Sequence, residues 1–291
     1  MTDRVVILPH PSVERSPRDG SADCPWPTAE AEHARKFLET SGRWLTSVDG
    51  TPSRGSLKIW CEYEAPSTVA SIHRETSQHP TWAHRIDVSA LRTVASAGAS
   101  RRHLNTDPWV RDPGFIWSVC RHFTPKKNLR AAVARLRAGD IVLFGSSREG
   151  RWLLDTVLVA AGPPIRCKQA HAAIPSLGAA YRECVSEPLS VLRLPLAIVR
   201  GTAHGAHHGA FSFVPSLPSA ARISFARIDI TAIVTQIRLH GGRPASAGNA
   251  RALASGTYPG GNSQIWSELA QMTLDAGLVL GVSFEHPHDG A

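Results

Sequence analysis

Apolar residues change their spacing several times along the chain, and each change predicts an element. Residues 5–8 are an unbroken apolar run closed by Pro9-His10-Pro11, the mark of a buried strand. Residues 12–27 are polar and proline-rich, which predicts a loop. Thr28 then stands where a cap would, and Ala31, Ala34, Phe37 and Leu38 recur at helical spacing, predicting a helix through Glu39. After a turn-rich stretch at 46–56, LKIWCEYE at 57–64 alternates. Leu57, Ile59, Cys61 and Tyr63 share one face, and Lys58, Trp60, Glu62 and Glu64 the other. No period is legible from about 76 to 118, which in a folded domain calls for a functional loop or for short elements.

Residues 125–138 read as an amphipathic helix. Leu129, Val133 and Leu136 fall at i, i+4 and i+7, with Lys126, Lys127, Arg130 and Arg137 off that stripe. Gly139-Asp140 ends it. IVLFGS and WLLDTVLVA, separated by a five-residue turn around Ser147 and Gly150, predict a hairpin. Strands are expected at 189–200, 210–215 and 222–230. A helix at 263–275 would bury Trp266, Leu269 and Leu274, before a last strand at 278–284. The elements add up to an α+β fold with a mainly antiparallel sheet and flanking helices. With no repeat and no linker, the simplest partition is one integrated domain over 1–291, with 1–56 as an N-terminal elaboration and 57–284 as the core.

The transition RLRAGDIVLFGSSREGRWLLDTVLVA resembles the corresponding unit of PUA-like barrels, including the ASCH and EVE branches, where a Gly-Asp turn precedes a core strand. That resemblance covers about 30 of 291 residues. It implies a partly closed β-barrel and a role in binding RNA, modified bases or nucleotides. Several other segments together resemble an uncharacterised bacterial protein family: His10-Pro11, Trp26 with the following HARKF, WCEYEAPS, NTDPWV, GDIVLFGS, LDTVLV and FSFVP. Cys61 and Tyr63 depart from its pattern, which has glycine and tryptophan there. It supplies no reaction to carry over.

Composition narrows the class. At 42% hydrophobic residues the chain can build a core, and no apolar stretch reaches the roughly 18 residues of a membrane helix. The N-terminus lacks the pattern of a signal peptide, so a cytoplasmic protein with no membrane partner is expected. Five scattered cysteines, Cys24, Cys61, Cys120, Cys167 and Cys184, argue against a disulfide framework and a zinc module. Charge is uneven: net −1 over 1–100, +9 over 101–200 and zero beyond. Such a basic segment suits a polyanion, although an arginine excess of 27 to 5 over lysine also follows from a GC-rich coding sequence.

Two sets of residues carry candidate chemistry. Arg121, Lys126, Lys127 and Arg130 would hold phosphate, while Trp60 or Trp109 would stack on a base; core packing is the competing role for both rings. Gly145-Ser146-Ser147 and Gly150 offer backbone N–H groups, but no Walker A, dinucleotide or nucleophile-elbow pattern occurs. The second set is Glu62 and Glu64, about 6.5–7 Å apart on one strand face, with Asp107 and Asp155. These could bind a divalent ion or act as acid and base. Asp155 interrupts an apolar strand and needs a buried partner, for which an arginine of the basic segment could serve. The structural alternatives are a solvated sheet face for the glutamates and a turn before Pro108 for Asp107.

His204, His207 and His208 cluster without a nearby carboxylate, Cys120 and His122 share a strand face at most, and residues 285–289 read as a disordered tail. No resident metal or cofactor is identified. A nucleic-acid or nucleotide-binding protein is therefore the first expectation. A phosphoester- or glycosyl-bond-cleaving enzyme and a non-catalytic protein-interaction module are the alternatives.

Overall fold

The computed structural model describes residues 3–13, 24–28, 31–63, 85–86, 92–93, 107–111, 114–119, 122–124, 126, 128–148, 150–167, 181, 185–186, 196–206, 209–223, 225–239 and 253–285. Its strands begin with β1 (Val5–Val13), β2 (Cys24–Thr28), β3 (Ala31–Leu45), β4 (Ser53–Tyr63), β5 (Arg85–Ile86), β6 (Arg92–Thr93) and β7 (Ile116–Val119). They continue with β8 (Ile141–Arg148), β9 (Arg151–Val159), β10 (Ile165–Cys167), β11 (Leu196–Arg200) and β12 (Val214–Pro218). Last come β13 (Phe225–Ala226), β14 (Ile228–Asp229), β15 (Arg238–Leu239), β16 (Ala254–Thr257) and β17 (Val279–Phe284). Helices occupy Ala131–Ala134, Thr231–Gln236 and Gly261–Asp275. The fold is β-rich, with few helices, and mainly antiparallel.

A six-stranded sheet runs in the order β14-β9-β8-β1-β16-β15, and β1 with β8 is its one parallel pair. Both faces of this sheet are covered. Val6, Leu8, Val142, Phe144 and Leu158 join a core with Trp109, Trp117 and Val199. Val5, Ile7, Ile141, Leu143, Val157 and Val159 join another with Ile265, Trp266 and Leu269 of the long helix. Burial on two sides explains why residues 5–8 are continuously apolar. The stretch expected as an N-terminal elaboration thus supplies a central strand of this sheet.

A second sheet closes on itself. β17 pairs with β12, β12 with β4, β4 with β3, and β3 again with β17, a ring of four strands. A third sheet, β10-β11-β7, flanks the first. Where β9 would otherwise present a bare edge, three separate pieces cover it: β14 at Leu153 and Leu154, Phe213 at Val157, and Gly201 at Ala160. Ser212 completes this seam by accepting the Val159 N–H at 3.0 Å.

Instead of the expected helix from Thr28 to Glu39, Thr28 ends β2, which also takes up the end of the expected loop at 12–27, and residues 31–39 begin β3. Its backbone pairs with β4 from Ala34 opposite Tyr63 to Trp44 opposite Ser53, a hairpin that overrides the helical spacing. Accordingly, the expected loop at 46–56 gives way to β4 at Ser53. The expected helix at 125–138 is a single turn, Ala131–Ala134. Before it, Arg130 is extended (φ −59°, ψ 142°), its N–H donates to His122 O, and Leu129 bridges Phe123. The apolar stripe is nonetheless turned inward, with Val133 and Leu136 buried.

Within the stretch that carried no period, Ile116–Val119 is a buried strand and Trp109 bridges Ile116. The hairpin at 141–159 forms as expected, but with a tighter turn, Arg148 standing opposite Arg151. Gly150 takes the left-handed backbone that turn requires (φ 78°). The helix Gly261–Asp275 and β17 also match expectation, with Trp266 and Leu269 buried.

Candidate functional site

The β8–β9 ladder contains an irregularity that places a charged side chain in the interior. Phe144 pairs with Thr156, yet Gly145 pairs with Leu154, so Asp155 is the extra residue of a β-bulge. The bulge also reverses the sides of the strand, which brings Leu154 into the same core as Val157 and Val159. Gly145 faces it because the backbone of β9 comes so close that a methyl group there would overlap Leu153 O.

Arg227, between β13 and β14, answers the buried carboxylate. Its Nη2 donates to Asp155 Oδ1 and to Ser146 Oγ, each at 2.8 Å, and both side chains of the ion pair are more than nine-tenths buried. The guanidinium lies 5.3 Å over the ring of Trp60 from β4, a cation–π contact that ties the four-stranded ring to the six-stranded sheet. Asp155 therefore has the arginine partner its burial demanded, but from outside the basic segment. A signal for it was available: Arg227 is the lone cation inside the apolar-rich run ISFARIDI, as Asp155 is the lone acid inside WLLDTVLVA.

The aromatic part of the expected site is corrected. Trp60 is 3% exposed and Trp109 1%, the latter packed edge-on against Tyr181 at 5.7 Å. Neither ring offers a face to a base, because both are spent on the core. Ser146 and Ser147 are likewise buried within β8, where their backbone serves the ladder and not a phosphate.

Nor are the carboxylates brought together as a described cluster. Glu62 stands opposite Arg35 at the end of β4, and Glu64 lies outside the described residues. Asp107 is buried and Asp155 is held by Arg227. Among the described residues no three of His, Cys, Asp and Glu lie close enough to hold a metal. His204 packs edge-on against Phe211 at 4.9 Å, while His207, His208 and Cys120 lie outside the described residues. The thiol of Cys167 is pushed up by burial, which disfavours the reactive thiolate. Glu285, expected in a loose tail, is gripped by Arg54 at 2.6 Å, and its carbonyl accepts from the buried Arg111.

Of the expected phosphate-binding residues, Lys126 and Arg130 are exposed, and Arg121 and Lys127 lie outside the described residues. Arg135 and Arg137 are exposed as well. Arg137 leads into a hub that sequence reading missed, the carboxylate of Asp140. It accepts the N–H groups of Arg137 at 2.8 Å and Arg4 at 3.0 Å, and Asn262 Nδ2 of the long helix at 3.4 Å. Burial pushes the Asp140 carboxyl up, against the downward pull of those backbone donors. The Gly139-Asp140 turn thus joins the start of β1, the start of β8 and the long helix. No protein-family model, curated protein or solved structure matches this chain.

Proposed function

We propose that this chain binds nucleic acid or a nucleotide, with its cationic side chains on phosphate. One observation carries the reading. Between residues 107 and 200 the described acids, Asp107, Asp140 and Asp155, are all buried. Of the described cations, Lys126, Arg130, Arg135, Arg137, Arg151, Arg166 and Arg200 are exposed, whereas Arg111 is buried, its guanidinium donating to Thr40 Oγ1 and to Glu285 O. With these three acids inside and these seven cations outside, a positive field lies over this third of the molecule, which attracts a polyanion and is weakened by salt. Arginine's planar fork suits phosphate oxygens.

The fold that accompanies this reading is PUA-like. It is supported by the Gly139-Asp140 turn running straight into β8 and by the closed four-stranded ring, although β8 lies in the adjoining six-stranded sheet. Base recognition, on this reading, falls to residues other than Trp60 and Trp109.

Fluorescence anisotropy with labelled single-stranded RNA and DNA oligonucleotides, titrated from about 50 to 200 mM salt, tests the proposal. Binding is expected at the low end and should fall by at least tenfold across the range, as counterion release requires. No binding of either oligonucleotide or of free nucleotides at the lowest salt overturns it.

A further inference from the structure

The registers of the six-stranded sheet place four arginines along one of its ends. Arg238 on β15 stands opposite Thr257 on β16. Val5 pairs with Gly256 and with Ile141, so Arg4, one residue earlier, continues the row beside Thr257 and Asp140. Two hydrogen bonds fix that step: Ile141 N–H to Arg4 O at 3.0 Å and Arg4 N–H to Asp140 Oδ1 at 3.0 Å. Ala160 N–H then donates to Asp140 O at 2.7 Å, Ala160 bridges Gly201, and Ala161 N–H donates to Arg200 O at 2.8 Å. Arg137 enters the row through its own N–H bond to Asp140. The row crosses five inter-strand steps, roughly 24 Å at about 4.8 Å each.

Arg137, Arg200 and Arg238 are exposed and Arg4 is half-buried. Among the described residues Arg137, Arg200 and Arg238 enter no ion pair, and the guanidinium of Arg4 donates to Ser255 Oγ at 3.3 Å. Among the described residues two acids share this end. Asp3 accepts the Asn262 N–H at 2.9 Å, and Asp140 accepts the backbone N–H groups of Arg4 and Arg137 while also feeling the charge of Arg4. The N-terminus of the helix Gly261–Asp275 lies against the same turn, with Asn262 Nδ2 on Gly139 O at 2.9 Å.

We propose that this arginine row is the track along which one nucleic-acid strand lies, crossing the sheet end at right angles to the strands. The inference rests on the nucleic-acid reading above and assigns it a surface. A row of about 24 Å is long enough to lie beside several successive phosphates of a strand. An anionic membrane is the poorer partner. Such contacts need apolar anchors beside the cations, and the exposed large apolar residues among those described, Ile165 and Ile223, both lie outside the row.

The full chain carrying R137Q, R200Q and R238Q together tests the assignment. All three positions are exposed, and circular dichroism with a thermal melt verifies that the variant folds. A second variant, K126Q with R130Q, removes the cations of the 122–130 loop instead. With a labelled 12-nucleotide single strand at about 50 mM salt, the triple variant is expected to lose at least tenfold in affinity. Its slope of log K against log salt should become shallower by about 2, for three lost phosphate contacts at roughly 0.7 each. The loop variant should change affinity less than threefold. Wild-type binding that survives intact in the triple variant overturns the row and leaves the nucleic-acid reading standing. Absence of wild-type binding overturns the reading itself. Wild-type association with phosphatidylserine vesicles and not with the oligonucleotide assigns the row to a membrane surface and overturns the proposal.

Discussion

At the scale of single residues, the Asp155–Arg227 pair is the most consequential contact in the described interior. Two charges taken out of water gain little over a well-packed apolar pair, but removing one strands the other. R227A or D155A is therefore expected to destabilise the fold by about 3–5 kcal/mol. The combined D155L/R227M change should cost far less than the sum of the single changes, and urea unfolding of all four proteins measures it. Gly145 supplies a second check on the same bulge. G145A pushes a methyl group into Leu153 O, and overpacking of that kind costs about 1–3 kcal/mol. If β9 were unbulged in solution, G145A would be close to neutral.

At the scale of elements, the helix Gly261–Asp275 is fastened to the helix Thr231–Gln236 through Tyr258. The phenol donates to Glu268 at 2.5 Å and lies 3.1 Å from Gln236 Oε1. Burial, and then the bond to Glu268, push its pKa up from 10.0 to about 12. The fold thus holds the phenolic proton more tightly than the unfolded chain does. Its contribution is complete below pH 10 and disappears as pH rises through about 12. The stability gap between wild type and Y258F should stay constant up to pH 10 and narrow above it, as denaturant midpoints at each pH would record.

Legibility differed sharply between elements, for identifiable reasons. The 141–159 hairpin and the 261–275 helix carry their periodicity and their turn residues locally, so both could be read from the chain. β3 could not. Ala31, Ala34, Phe37 and Leu38 satisfy a helical spacing, and only the pairing with Ser53–Tyr63 turns the segment into a strand. The basic segment misled in a similar way: its apolar stripe at Val133 and Leu136 is real, but the Phe123–Leu129 bridge limits the helix to one turn. Of the candidate site, Asp155 as a buried carboxylate in need of an arginine was legible. The identity of that arginine, 72 residues away, was set by the meeting of strands and not by local sequence.

For the molecule as a whole, the net charge of +8 arises entirely from residues 101–200, and the structure turns most of the described cations of that third outward, Arg111 being the buried exception. Solubility and self-association should both follow ionic strength accordingly. The closed ring has another consequence, one of timing. Its last strand, Val279–Phe284, must pair with β3, laid down some 240 residues earlier, before the ring exists. A ribosome-bound chain that has not yet released this strand carries β3 and β12 with open hydrogen-bonding edges. Nascent chains stalled before residue 279 should accordingly bind chaperone and be cut by protease within 31–63, and both signs should vanish once 279–285 has left the exit tunnel.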